Sequence, residues 1–154
     1  MLKEGDKAPD VKLPLPDGSS TSVGAQAGKI LVLYFYPKDD TPGCTTEAQS
    51  FTALADDFAA AGATIIGVSK DSAARHQKFI GKYGLKVQLA SDDDGGICEA
   101  YGTWIEKTLY GRNYMGIDRA TFLIGKDGKI AKVWRKVKVK GHADEVLAAA
   151  RALG

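Results

Sequence analysis

An α/β fold built on a mixed sheet, with helices on both faces, is what this 154-residue sequence predicts. Three features carry that expectation. The runs Ile30-Leu-Val-Leu-Tyr-Phe-Tyr36 and Ala63–Ser69 are apolar without alternation, the mark of strands buried on both faces. Each is followed by a segment whose apolar residues recur at three- and four-residue spacing, as on one face of a helix. Near the C-terminus, Thr121–Ile124 and Ile130–Trp134 are joined by Gly125-Lys-Asp127-Gly128-Lys, where Asp-Gly favours a tight hairpin turn.

The elements follow in chain order. The first 28 residues are rich in Pro, Gly, Asp and Ser around two short extended pieces, Val11–Leu15 and Thr21–Val23, expected to pair as an N-terminal β-hairpin. Pro14 and Pro16 confine the first piece to an edge or an irregular ribbon. After the strand at 30–36, Ala48, Phe51, Ala55 and Phe58 share a helical face with Leu54. Thr41 suits the N-cap of this helix, Pro42 its first position, and Gly62 its end. The strand at 63–69 leads to a helix over 72–83 that turns Phe79, Ile80 and Tyr83 inward and stops at Gly84. Val87–Ala90 reads as a short strand. Asp92-Asp93-Asp94-Gly95-Gly96 then caps a short helix, Ile97–Tyr101. Lys136, Lys138 and Lys140 alternate with Val137 and Val139, as in a strand with one wet face whose lysines discourage edge pairing. Ala143, Val146, Leu147 and Ala150 give a last helix, 142–152, its apolar face. The order is a β-hairpin, then βαβαβα, then ββα, in a single domain spanning 1–154 with no internal repeat or linker.

Composition narrows the function. With 21 basic and 19 acidic side chains the net charge is +2, which calls for neither nucleic acid nor an acidic membrane. The start, Met-Leu-Lys-Glu-Gly-Asp-Lys, lacks the apolar core of a signal peptide. No apolar run approaches the roughly 18 residues that cross a bilayer. Two cysteines, 54 positions apart, do not make a disulfide scaffold. The expectation is a cytoplasmic protein with reduced thiols. His76 and His142 lack metal-ligand spacing and are expected at the surface or at helix ends. The three consecutive aspartates lack the alternation of a calcium loop. No metal and no cofactor are therefore expected. Trp104 and Trp134 read as core or rim aromatics.

The chemistry concentrates at Cys44, in Pro37-Lys-Asp-Asp-Thr41-Pro42-Gly43-Cys44. A buried apolar filler is the ordinary reading of a lone cysteine, and the local sequence argues against it here. The thiol falls in the first turn of a helix, where unpaired N–H groups and the positive end of the helix dipole favour a thiolate. Gly43 permits close approach of the backbone to a ligand, and Thr41 places a hydroxyl about one turn from the sulfur. Lys38, Asp39, Asp40 and Glu47 leave the segment locally acidic, so a cation from elsewhere in the fold is expected. Arg119, opening the strand Arg119-Ala-Thr-Phe-Leu-Ile, is the best candidate.

The segment Tyr34-Phe-Tyr-Pro-Lys-Asp-Asp-Thr-Pro-Gly-Cys-Thr-Thr-Glu47 closely resembles the Pro-x-x-x-Thr-x-x-Cys motif of the peroxiredoxins, in particular the Q-type or bacterioferritin-comigratory branch. The likeness extends to Gly67-Val-Ser-Lys-Asp-Ser72, Leu109-Tyr-Gly-Arg-Asn-Tyr-Met-Gly-Ile-Asp-Arg119, and Phe122-Leu-Ile through Lys129-Ile, and so covers nearly the whole chain. It implies a thioredoxin-like fold and a thiol peroxidase acting on hydrogen peroxide and small alkyl hydroperoxides. Cys44 is then the peroxidatic cysteine, Thr41 and Arg119 complete the catalytic site, and Pro37, Pro42 and Gly43 shape the substrate-binding side. A monomer is the commoner habit of the branch.

The sequence departs from part of that family. A resolving cysteine five residues after the peroxidatic one is replaced by Gln49, and another position used in the following helix is near Ile80. Only Cys98 remains, read as a semi-buried residue toward the edge of its short helix. One-cysteine chemistry is therefore expected, with thioredoxin, glutaredoxin or glutathione attacking Cys44 directly. Cys98 as the resolving cysteine is the alternative. A disulfide oxidoreductase is disfavoured by the missing Cys-x-x-Cys. A module binding nucleic acid through the lysines of 126–140 would give Cys44 no role.

Overall fold

The computed structural model describes residues 1–154. The N-terminal ribbon is narrow, as the prolines require: β1 (Lys12–Pro14) pairs antiparallel with β2 (Ser20–Ser22). The chain continues through β3 (Ile30–Phe35), α1 (Pro42–Ala53), α2 (Ala55–Ala60), β4 (Ala63–Ser69), α3 (Ala73–Tyr83), β5 (Gln88–Ser91) and α4 (Gly96–Tyr101). It ends with β6 (Trp104–Leu109), β7 (Arg112–Ile117), β8 (Ala120–Ile124), β9 (Ile130–Trp134) and α5 (His142–Leu153). Five strands form the central sheet in the order β5-β4-β3-β8-β9. β3 and β4 are parallel, as are β4 and β5, whereas β8 runs antiparallel to both β3 and β9. β3 is the middle strand, and this is why its sequence is apolar throughout.

Alternation along β3 divides the interior in two. Ile30, Val32, Tyr34 and Tyr36 join Cys44, Phe51, Phe58, Phe79 and Val146 in one core, beneath α1, α2, α3 and α5. Leu31, Leu33 and Phe35 join Leu13, Ile97, Cys98, Tyr101 and Phe122 in the other, beneath α4 and the N-terminal ribbon. Helices thus cover both faces, four on one side and one on the other. α3 has the expected boundaries: the Ser72 hydroxyl accepts the Arg75 N–H at 3.2 Å, and Gly84 ends it at φ +59°. Such a cap is worth about 1 kcal/mol. The aspartate run caps α4 as expected, Asp92 accepting the N–H groups of Ile97 and Cys98 at 3.0 Å each.

Three expectations are corrected, and one strand pair adds to the element order. The helix expected from Pro42 to Gly62 breaks at Leu54, where φ is −102° and ψ 9° and the N–H turns to Phe51 O and Thr52 O. Phe51 before the break and Phe58 after it both lie in the core, their rings 5.8 Å apart. The lysine-rich segment 136–140 is not a strand: Lys136 has φ +49°, and the Val137 N–H goes to Arg119 O at 2.9 Å. The antiparallel pair β6–β7 carries no apolar alternation strong enough to announce it, because most of its residues are exposed. Its two-residue turn has Tyr110 at φ +51° and Gly111 at φ +75°, and tyrosine is a poor signal for a turn that needs positive φ. Finally, His76 and His142 are both buried rather than exposed. His142 does open α5, as a helix-end residue; its Nε2 lies 2.8 Å from Thr121 Oγ1, and burial pushes its imidazole down to about 4.

Candidate active site

Cys44 is the third residue of α1, at the carboxyl end of β3, where open α/β sheets place their ligands. Thr41 occupies the N-cap and Pro42 the first helical position. The first intrahelical bond runs from Thr45 N–H to Thr41 O at 2.8 Å, leaving the N–H groups of Gly43 and Cys44 without a backbone acceptor. The Thr41 hydroxyl does not cap the helix. It donates to Lys38 O at 2.8 Å and so draws the approaching loop into a turn. Pro37, Pro42 and Gly43 form an exposed rim, whereas Cys44 itself is only 2% exposed.

The expected cation is present. Arg119 Nη2 stands 3.4 Å from Cys44 Sγ, and Nη1 donates to Glu47 Oε1 at 2.7 Å. Its backbone comes from the junction of β7 and β8, held by the Val137 N–H on Arg119 O and by the Lys136 N–H on Asp118 Oδ1. Gly43 has a role the sequence suggested only in outline: a Cβ there would lie 3.1 Å from Arg119 Nη2, so its small size admits the guanidinium rather than only a ligand. Beside Arg119 opens a groove of about 450 Å³, bordered by Lys107, Tyr114 and Lys136.

Glu47 sits one helical turn beyond Cys44 and is buried, with Oε2 unpaired. Burial drives its carboxyl up to about 7, against the opposing pull of Arg119. The Tyr34 hydroxyl is likewise buried without a partner, and burial, then Glu47 and Cys44, holds the phenol well above its ordinary range. Its ring stacks on Phe51 at 4.8 Å and fits only because residue 67 is glycine, where a Cβ would come within 2.6 Å of it. The folded state keeps the Glu47 proton up to about pH 7, whereas an unfolded glutamate loses it near 4.5. The stability associated with that proton is therefore present at low pH and lost as pH rises through this window. Glu47→Gln should remove the loss, so that urea unfolding at pH 5 and pH 8 shows the variant gaining on the wild type by up to about 3 kcal/mol at the higher pH. A pH-independent difference would mean that Glu47 ionises in the fold at no cost.

The acidic residues that made the segment look unfavourable are all engaged. Asp39 meets His76, Asp40 meets Lys82 and Tyr83, and Glu47 meets Arg119. Asp39, Asp71 and His76, remote in sequence, bring their polar atoms within 4.8 Å of one another. Hydrogen bonds among themselves and from Ser69, Arg75 and the Asp39 N–H account for that cluster.

Cys98 differs from its expected place at a helix edge. It is fully buried in the second core, and burial, reinforced by Asp92, pushes its thiol up to about 12. Cys44 belongs to the first core. The two free thiols therefore lie on opposite faces of the central sheet.

A family model, AhpC/TSA, matches residues 4–133. The chain belongs to the AhpC/TSA family. Among its relatives, peroxiredoxin Bcp of Xanthomonas campestris is 50% identical over 143 residues, 93% of this chain and 89% of the relative. Peroxiredoxin Bcp of Bacillus subtilis is 50% identical over 146 residues, 95% of this chain and 93% of the relative. A solved structure of the Xanthomonas campestris bacterioferritin comigratory protein, studied for alkyl peroxide reduction, superposes with a TM-score of 0.90. The two are 48% identical, and the match covers 98% of this chain and 96% of the other. The thioredoxin-like peroxiredoxin architecture of this AhpC/TSA chain is thus the one its motif implied. Glu47, Tyr34 and the Asp39–His76 pair are what reading the sequence missed. Glu47 alone had a visible signal, since three residues after Cys44 puts it on the same side of α1.

Proposed function

We propose that this protein is a thiol-dependent peroxidase that reduces hydrogen peroxide and small alkyl hydroperoxides at Cys44, and that it works as a one-cysteine enzyme. The observation that carries this reading is the Cys44 sulfur 3.4 Å from Arg119 Nη2, in the first turn of α1 beside two free N–H groups. The alkyl peroxide reduction of the Xanthomonas relative supports the substrate class.

The Cys44 thiolate attacks one peroxide oxygen along the O–O axis. The S–O bond forms as the O–O bond breaks, the sulfur is oxidised to a sulfenic acid, and the departing oxygen takes a proton and leaves as water or alcohol. Charge building on that oxygen meets the Arg119 guanidinium and the N–H groups of Gly43 and Cys44, donors fixed before the reaction begins. Thr41 shapes the turn before the thiol, and Pro37, Pro42 and Gly43 border the entry. An external thiol then attacks the sulfenic sulfur, expelling water. A second thiol releases the mixed disulfide and regenerates Cys44. Thioredoxin, glutaredoxin and glutathione all have the required chemistry. A monomer would need no group beyond those named, and a thiol that is regenerated by other thiols suits the cytoplasm.

The position of Cys98 favours this route over a two-cysteine one. Disulfide formation needs Cα atoms within about 7 Å, and here a β-sheet stands between the thiols. Cys98→Ser should keep peroxidase activity within about twofold of wild type with a small external thiol, as expected of a buried and inert cysteine. Mass spectrometry of the peroxide-treated wild type should find oxygen added to Cys44. A 44–98 disulfide, with activity collapsing in Cys98→Ser for every reductant, would make this a two-cysteine enzyme.

A further inference from the structure

His76 takes no part in the chemistry described above, yet it has no exposed surface and lies on α3 against the loop that leads to Cys44. Its Nε2 is 3.1 Å from Ala90 O and its Nδ1 2.6 Å from Asp39 Oδ2. A carbonyl can only accept, so Nε2 donates to Ala90 O, and Nδ1 faces the Asp39 carboxylate. The other oxygen of Asp39 accepts the Tyr36 hydroxyl, and the Asp39 N–H donates to Asp71 Oδ2 at 2.8 Å. Asp71 is itself fixed by the Ser69 hydroxyl at 2.6 Å and by Arg75 Nε at 3.0 Å. The next residue, Asp40, has φ +59° and accepts from Lys82 Nζ at 2.8 Å and the Tyr83 hydroxyl at 2.6 Å.

Two consecutive loop residues are thus fastened to α3, by His76 in its first turn and by Lys82 and Tyr83 at its end. The inner fastening is dry, whereas Lys82 and Asp40 are open to solvent. The residue after Asp40 is Thr41, the N-cap of α1. By contrast, the first turn of α1 is held at Cys44, buried in the first core beside Arg119, and by the Thr46 hydroxyl on Pro42 O at 3.0 Å, and its leading residues have no such hold. Pro42 and Gly43 are exposed, and the Thr41 side chain bonds backward to Lys38.

The two half-reactions make opposite demands on that turn. Attack on peroxide needs Cys44 held beside Arg119. Reduction by a thiol needs a sulfur only 2% exposed to come within reach of a bulky partner. Resting on the thiol peroxidase reading, we propose that the buried His76–Asp39 pair is a positioning clasp. It holds the 36–41 loop, and with it the first turn of α1, in the arrangement that reacts with peroxide, and it sets how often that turn opens to the reductant.

The test uses the full chain with His76→Phe, which keeps the ring and removes both hydrogen bonds, and with Asp39→Asn and His76→Asn. The side-chain amide introduced by His76→Asn can still donate toward Asp39, so that variant should lie nearer wild type. Tyr101→Phe, which removes a hydrogen bond to Pro9 O on the far face of the sheet, serves as the structural control. In His76→Phe, alkylation of reduced Cys44 by iodoacetamide, followed at its own peptide, should be about tenfold faster than in wild type. Single-turnover oxidation of Cys44 by hydrogen peroxide should be slower by about the same factor, while reduction of preformed sulfenate by dithiothreitol should be faster. If His76→Phe fails to fold, Asp39→Asn carries the same comparison, with His76→Asn as its milder counterpart. Unchanged alkylation, or both half-reactions falling together as lost stability alone would make them, overturns the clasp. A wild type inert to peroxide whose Cys44 is nonetheless unmasked by His76→Phe would overturn the peroxidase reading and leave the clasp standing.

Discussion

Cys44→Ser should abolish peroxide consumption, lowering it by at least about a thousandfold, while leaving the fold intact. Oxygen replaces sulfur at a buried position with almost no change of shape, so circular dichroism and the unfolding midpoint should move little. What is lost is the nucleophile. A hydroxyl beside Arg119 stays protonated and cannot accept an oxygen atom from the peroxide. No second group in the molecule can take over, because Cys98 lies in the other core with its thiol pushed up to about 12. A peroxide-dependent thiol oxidation assay on wild type and variant checks this directly. Consumption that persists in the variant would remove Cys44 from the chemistry and revive the readings in which it has no role.

The second large effect is expected at Arg119. Arg119→Ala removes the one cationic donor on the Cys44 sulfur and should slow peroxide reduction by about 10²–10³-fold, the range seen when a preorganised oxyanion donor is deleted. It also strips Glu47 of its only hydrogen-bond partner, leaving a buried carboxyl with neither oxygen satisfied. The variant should therefore lose stability as well as rate. Arg119→Lys separates the two contributions. A single ammonium cannot reach the sulfur and Glu47 in the forked geometry of the guanidinium, so Lys should restore charge and part of the stability but only part of the rate. Stopped-flow oxidation with hydrogen peroxide measures the first, and urea unfolding the second. Rates equal to wild type in Arg119→Ala would take Arg119 out of the site.

Much of the site was legible because its determinants are local. The apolar run 30–36 could only be an interior strand, Thr41 and Pro42 mark a helix start, and Cys44 follows two positions later. Arg119 was legible for a different reason: the local acidity demanded a cation, and an arginine stood at the mouth of a buried strand. What stayed hidden depends on distance in the chain. His76 shares the helical spacing of Phe79, Ile80 and Tyr83 and so belongs to the inward face of α3, but its partner Asp39 lies 37 residues upstream. No local pattern announces a pair made by the crossing of a loop and a helix. Cys98 shows the same limit on a smaller scale. Ile97, Ala100 and Tyr101 suggest a face that leaves Cys98 at its edge, yet α4 is short and lies so deep against Phe35 and Phe122 that the edge is buried too. The pair β6–β7 escaped because a solvent-facing hairpin leaves no apolar signature, and Tyr110 takes a backbone conformation that its side chain gives no hint of.

A sheet dividing the two sulfurs has a consequence for the life of the enzyme under sustained stress. If the chain works as the one-cysteine enzyme proposed above, the oxidised Cys44 has no internal partner to capture it and waits for help from outside, and its survival depends on how many small or protein thiols are at hand. When those run short, another molecule of oxidant arrives first and carries the sulfur on to the sulfinic state, from which ordinary thiols do not bring it back. The partition between recovery and permanent silencing would then track the reducing capacity of the surroundings, making each surviving molecule a gauge of that supply.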